Sequence, residues 1–158
     1  MGKRNNYILT FCILAVAAVC YLSITAPIRF QEKQKEREIL VKQRLLKIRK
    51  AEQAYKRMHG TYTGDFKTLI ASGLLADSLQ YIPFSDKKKF ELKADVKMME
   101  SGKQQPLMEC AAPFEDYLTG LDENQIVNLS EKEYQAGRYP GLKIGDITTP
   151  NDNAGNWE

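Results

Sequence analysis

The residues able to do chemistry are few and scattered. His59 is the single histidine of the 158-residue chain. With no second imidazole and no thiol cluster beside it, neither a zinc site nor histidine-assisted nucleophilic catalysis has a foundation. The three cysteines stand at 12, 20 and 110. Two lie in an uncharged apolar run. Cys110 lies in the apolar stretch from Leu107 to Ala112, where a thiol is expected to act as a small buried hydrophobe with no disulfide partner nearby. The adjacent carboxylates Glu115-Asp116 and Asp122-Glu123 read as solvated acids at helix ends, not as an acid–base pair. Near the C-terminus Asp146, Asn151, Asp152, Asn153 and Glu158 offer oxygens of the kind calcium takes. Their spacing is not that of an EF-hand loop, since counting back from Glu158 puts Ile147 at the first ligand position. A polar surface tail, pinned by Trp157, is expected instead. Asn128-Leu129-Ser130 matches a glycosylation sequon, a three-residue pattern with little specificity. There is no Gly-rich phosphate loop, no G-x-S-x-G turn and no repeat. The expectation is a non-enzymatic protein with no catalytic, cofactor-binding or metal-binding residues, and no cofactor.

The elements that carry these residues are more informative. From Asn5 to Ile28 no side chain is charged, and the 130 residues after that run hold every acidic residue and all but two of the basic ones. Within that run, the 20 residues from Tyr7 to Ala26 would span about 30 Å as a helix at ~1.5 Å per residue, the thickness of a bilayer's hydrocarbon core. Tyr7 and Tyr21 lie toward its ends, where amphipathic rings favour the interface. Cleavage after Ala26 would place Ile24 where a small residue is wanted, with Pro27 following, and Cys20 follows Val19 where a lipoprotein signal needs a small residue. An uncleaved signal-anchor contacting the lipid bilayer through Tyr7 to Ala26 is therefore expected. Lys3 and Arg4 orient its N-terminus to the cytoplasm and its head to the periplasm, making a single-pass inner-membrane protein.

Net charge is +3, but residues 29–60 hold 11 basic and 4 acidic side chains, and residues 61–158 hold 10 and 16. A basic stalk precedes an acidic head, without the overall basic excess of a nucleic-acid binder. These read as two solvated surfaces, with stalk–head attraction or stalk contact with anionic headgroups as the alternatives. Gln31 to Glu38 has no apolar residue and is expected to be a solvated helical extension. Val41, Leu45, Ile48, Ala51, Tyr55 and Met58 then recur at helical spacing, a stripe expected to be buried by the chain's own head. Glu38–Lys42 and Glu52–Lys56 read as helix-supporting i,i+4 pairs. Gly60 should end the helix, with His59 in its last turn. Asp65 should cap a short helix from Phe66 to Ala71, and Gly73 should end it.

Across this joint, Ala51, Ala54, Tyr55, Gly60, Tyr62, Asp65, Leu69, Gly73, Leu74 and Leu75 form a pattern. It resembles the region after the long N-terminal helix of type IV pilins and type II secretion pseudopilins. The resemblance covers residues 51–75 and implies a long helix packed on a small antiparallel sheet, in an envelope-assembly role. A calcium loop near the C-terminus also belongs to major pseudopilins. The chain departs from the family at its start. Prepilins carry a leader ending in Gly before Phe or Met, then a Glu just inside the apolar segment. Here Lys3 follows Gly2, and residues 5–28 contain no Glu.

Downstream, Phe90 to Met98 alternates apolar and charged residues, a strand with one buried face. Leu107 to Ala112 should return as a second strand with Pro106 at its start or on an edge. Pro113 should open a short helix through Leu118. Ile126 to Leu129 and Leu142 to Ile147 are further strand candidates, separated by a turn from Gly137 to Gly141. The expected organisation is 1–28 basic tail and transmembrane anchor, 29–60 helical stalk, and 61–158 small head packed on the lower stalk. The fold class is α+β and pilin-like, the alternative being a ferredoxin-like head on a coiled-coil stalk. The expected function is a structural or assembly subunit of a bacterial envelope complex that meets protein partners or itself, and no nucleic acid. The alternative is a membrane-tethered periplasmic binding module or regulator.

Overall fold

The computed structural model describes residues 3–99 and 102–158, and the side chains of all of these except 3–6, 22–24 and 26. Helix α1 runs Lys3–His59, 57 residues without a break, and carries Pro27 inside it. The uncharged run, the Gln31 to Glu38 extension and the stripe from Val41 to Met58 therefore lie on one continuous helix. It persists through a proline that removes one backbone bond at a cost of ~3 kcal/mol.

The chain forms two compact units, Met1–Lys35 and Glu36–Glu158. In the first, every residue from 7 to 21 is exposed, including Ile8, Phe11, Leu14 and Val19. Among the described residues, no helix is long and apolar enough to cross a membrane. The expected anchor, residues 7–26, takes in 22–24 and 26, whose side chains lie outside the described ones.

The second unit is α+β. Of the stripe on α1, Val41, Leu45 and Ile48 are fully buried and Ala51 nearly so, all within a single chain. The stripe fades in the last turns. Tyr55 is half-buried and stacks on His59 with ring centroids 4.2 Å apart, while Met58 is 59% exposed. Gly60, at φ +81°, closes the helix by donating its N–H to Lys56 O at 2.8 Å. Only glycine takes this left-handed position without a Cβ penalty. Asp65 caps α2, Phe66–Ala71, by accepting the Thr68 N–H at 2.9 Å. A 3₁₀ turn follows at Asp77–Gln80.

Three strands make one antiparallel sheet in the order β1-β2-β3: β1 Glu91–Met98, β2 Gln104–Pro113 and β3 Gly141–Gly145. β2 is central and contributes Leu107, Met108, Cys110, Ala111 and Ala112 to the core. Pro106 lies opposite Val96, beyond the reach of β3, which pairs only with Glu109 to Pro113. The missing amide thus falls where β2 has one neighbour. β1 alternates as its sequence requires, but its apolar face loses cover along its length: Leu92 and Ala94 are half-buried, Val96 and Met98 exposed.

Two short helices link β2 to β3: α3, Phe114–Tyr117, directly after Pro113, and α4, Glu123–Gln135. The second corrects the strand expected at Ile126 to Leu129. A four-residue run has no readable period, and the flanking residues decide. Asp122 caps the helix by accepting the Gln125 N–H at 3.1 Å. Ile126 is buried, and Leu129, Ser130 and Glu133 are half-buried, the spacing of one helical face. The ferredoxin-like alternative is also corrected. That head is built as β-α-β-β-α-β, whereas the described residues give a three-stranded sheet in chain order.

Candidate functional site

The C-terminal half of α1 holds the second unit together with long donors. Arg37 donates to the carbonyls of Tyr117 at 2.9 Å and Thr119 at 2.8 Å. Arg44 donates to the Tyr81 carbonyl. Arg49 donates to Asn153 O at 3.0 Å and to both Glu158 carboxylate oxygens at 3.1 Å. Two cation–π contacts add to this, Arg37 over Phe84 at 4.7 Å and Lys42 over Trp157 at 5.5 Å. The basic face is therefore not simply solvated. Arginine forks fit loop carbonyls as well as they fit carboxylates, so the attraction falls mainly on backbone dipoles. Gln31 to Glu38 is likewise not wholly solvated, since Arg37 and Glu38 are half-buried.

One turn below lies the densest polar cluster. Glu52 is fully buried, and its two carboxylate oxygens accept the N–H groups of Thr63 at 2.9 Å and Gly64 at 3.0 Å. Burial raises its pKa, and the two amide bonds pull against that rise. This corrects the Glu52–Lys56 pair: Glu52 turns inward to clamp the returning chain, while Lys56 lies 4.6 Å from the centre of the Tyr62 ring. Glu38–Lys42, in contrast, does pair, at 3.6 Å. Gly64 lies so close to β1 that a Cβ there would meet the Ala94 nitrogen at 2.6 Å. Tyr62 is buried, and its hydroxyl accepts from the buried Asn153 amide at 2.6 Å. The helix, its exit loop and the C-terminal tail are thus joined through one network.

The tail is a docked strap rather than a free surface loop. Asp146 accepts from the Thr148 hydroxyl, from the amides of Thr148 and Thr149, and from Lys143. Burial pushes its carboxyl pKa up, but those donors outweigh burial and hold it well below the usual range. Asn151 accepts the Asn153 N–H at 3.1 Å, and Glu158 is held by Arg49. The side-chain oxygens of Asp146, Asn151 and Glu158 are thus used in separate internal bonds. Among the described residues no group of three or more His, Cys, Asp or Glu gathers as a metal would require.

Cys110 is fully buried as expected, and burial raises its thiol pKa, with the Glu52 carboxylate adding to the rise. Asp116 pairs with Lys88 at 2.5 Å, and Asp122 and Glu123 sit at the start of α4. Tyr117 is fully buried with no bonding partner for its hydroxyl among the described residues. Two open grooves flank α4. One, of about 430 Å³, is bordered by Ser130, Tyr134 and Pro140; the other, of about 280 Å³, by Thr119, Glu123 and Val127. No protein family, curated protein or solved structure matches the chain. Sequence reasoning named Glu52, Tyr62 and Asn153 but did not join them into this cluster. The available signal was Glu52 itself, which falls one place after Ala51 on the buried side of α1.

Proposed function

We propose that this protein is a non-enzymatic, membrane-anchored structural or assembly subunit of a bacterial envelope complex, of a pilus-like or type II secretion-like kind. Its second unit stands outside the cytoplasm. The observation that carries the reading is the first part of α1, where apolar side chains from 7 to 21 are exposed on every side. A bare apolar cylinder of that length is not sustained in water and calls for lipid or apolar helices around it. The uncharged run from Asn5 to Ile28 favours lipid, with neighbouring helices as its companions. The joint at Ala51, Gly60, Tyr62 and Asp65 lends support to the pilin-like outline. The departures at Lys3 and the missing Glu favour a pilin-like component outside the filament itself.

Membrane fractionation tests the anchor, and cross-linking tests the assembly. The full chain is expected to stay with bacterial membranes through an alkaline wash. Oxidation in intact membranes should link neighbours through Cys12 and Cys20, which are both exposed. Recovery in the soluble fraction would overturn the anchor, and a strictly monomeric, partnerless protein in membranes would overturn the assembly role.

A further inference from the structure

The two edges of the sheet are finished differently. Along β3 the C-terminal tail closes the edge. Gly145 N–H donates to Ala154 O at 3.0 Å, Asn156 N–H donates to Lys143 O at 2.9 Å, and Ile144 bridges Gly155. Along β1 the pairing among the described residues stops just before the strand. There Tyr81 bridges Lys89 and Phe90 N–H donates to Gln80 O at 3.0 Å. From Glu91 to Met98, β1 is laddered to β2 alone.

Alternation then fixes which groups face outward. Phe90 turns its N–H away from β2, so Leu92, Ala94 and Val96 do the same. The Val96 N–H is met by the adjoining Asp95 carboxylate at 2.7 Å. An eight-residue edge of this kind is a template for another strand.

We propose that the occupant is a second copy of this chain, paired β1 to β1, antiparallel, about a two-fold axis at Ala94. The pairing joins two three-stranded sheets into one of six. Charge complementarity carries the choice. In this register Glu91 lies opposite the second copy's Lys97 and Lys93 opposite its Asp95, each pair occurring twice. On the other face Leu92 lies opposite Val96, and the small Ala94 meets itself at the axis, exchanging both backbone bonds. Shifting by two residues in one direction sets Lys93 against Lys93 and Glu91 against Asp95. Shifting in the other sets Asp95 against Asp95 and Lys93 against Lys97. Shifting by a single residue turns outward amides against inward ones. Opposite charges across a ladder stabilise it and like charges weaken it, so the sequence selects one register. The interface is isologous, as a two-fold axis requires.

In the monomer these groups make exposed contacts that the pairing would exchange. Glu91 and Lys93 meet at 2.6 Å along one strand with about half of each side chain exposed, and Lys97 reaches the Thr148 carbonyl at 2.6 Å. Val96 and Met98, 45% and 65% exposed, leave the apolar face uncovered at the end where the second copy's Leu92 would arrive. Gly64 lets the exit loop lie against Ala94 with no side chain projecting over the axis. This inference does not rest on the reading of the N-terminal helix.

The test uses the full chain in detergent micelles, with Cys12 and Cys20 replaced by serine and association read by sedimentation. Asp95→Lys sets like charges against Lys93 at two places and is expected to weaken association about tenfold, as is Lys93→Glu. The double variant restores opposite signs and is expected to return close to the parent. Ala94→Cys should form a dimer-linking disulfide, because a bonded antiparallel pair holds its Cα atoms ~5.5 Å apart. Unchanged melting of the charge variants separates lost association from lost folding. A monomeric parent overturns the proposal, and so does a double variant no better than either single one. Association that survives all three charge variants without an Ala94→Cys cross-link belongs to the helix, and also overturns it.

Discussion

Helix α1 is one element with two chemistries. From 7 to 21 it is apolar on every side, and all of it is exposed. From Glu36 to His59 its main apolar stripe lies on one side and is buried to completion at Val41, Leu45 and Ile48, while Ile39 and Leu40 stay exposed. The backbone is the same in both, so helix propensity does not separate them. What differs is the partner each sequence calls for. A one-sided stripe is completed by a folded unit of its own chain. An all-round apolar surface marks a site for lipid or another apolar surface.

The largest expected effect breaks this contrast at the stripe. Leu45→Ala or Ile48→Ala removes a fully buried side chain, with an expected loss of about 2–5 kcal/mol in the stability of the second unit. Leu14→Ala removes a similar side chain from the exposed half and should leave that unit's melting transition where it was. Near-UV circular dichroism of the full chain in detergent reads both. Equal losses from the two halves would mean that the division of labour along α1 is wrong.

The next effect concerns Glu52. Glu52→Ala takes away both acceptors of the Thr63 and Gly64 amides, each left at a cost of roughly 1–3 kcal/mol. Those two residues are only half-buried, so some water enters and about 2–4 kcal/mol in total is expected. Glu52→Gln should cost less, because it keeps one acceptor. Its pH dependence has a definite sign. A carboxyl whose folded pKa is raised contributes stability below its ordinary value of about 4.3, and that contribution fades as pH rises through the folded pKa. Glu52→Gln should therefore hurt more near pH 4 than at pH 7, and a penalty that grows with pH would contradict burial as the dominant influence on Glu52.

Much of this second unit was legible in the sequence because its signals were local. Gly60, Asp65 and Pro113 punctuate the chain through their own backbone preferences, and β1 shows its strict alternation over enough residues to be unambiguous. Glu52 was misread because i,i+4 spacing to Lys56 describes only what a helix surface permits. Whether the carboxylate turns in or out depends on a loop 11 residues downstream. Ile126 to Leu129 was too short to show a period, and only the cap at Asp122 revealed its helix. The docking of the tail could not be read, since it depends on Asn153 meeting Tyr62, 91 residues away in sequence.

A smaller effect lies in that tail. Asp146→Asn weakens a carboxylate held by Lys143, Thr148 and Thr149, an expected cost of about 1–2 kcal/mol at neutral pH. The sign here is opposite to that of Glu52. A lowered folded pKa contributes stability above the ordinary aspartate value of about 3.9, and that contribution is lost as pH falls through the folded value. The gap between wild type and Asp146→Asn should stay open down to about pH 4 and close only in stronger acid. A gap that closed near neutrality would show that Asp146 is not held by these donors.

The smallest expected effect sharpens where the buried stripe ends. Met58 shares the helical spacing of Val41, Leu45 and Ile48, yet it is 59% exposed, one turn beyond the half-buried Tyr55. Its spacing alone would assign it a core loss of several kcal/mol on truncation. Its exposure predicts a change within about 0.5 kcal/mol for Met58→Ala, the size usual for a surface position. Alanine also has the higher helix propensity, which offsets part of any lost contact with the Tyr55–His59 stack. The two expectations differ by several-fold, so one thermal unfolding comparison separates them. A loss as large as that of Leu45→Ala would mean that Met58 is covered in the working protein by a surface other than its own chain, and the boundary between self-partnered and externally partnered helix would then have to be drawn at both ends of the stripe.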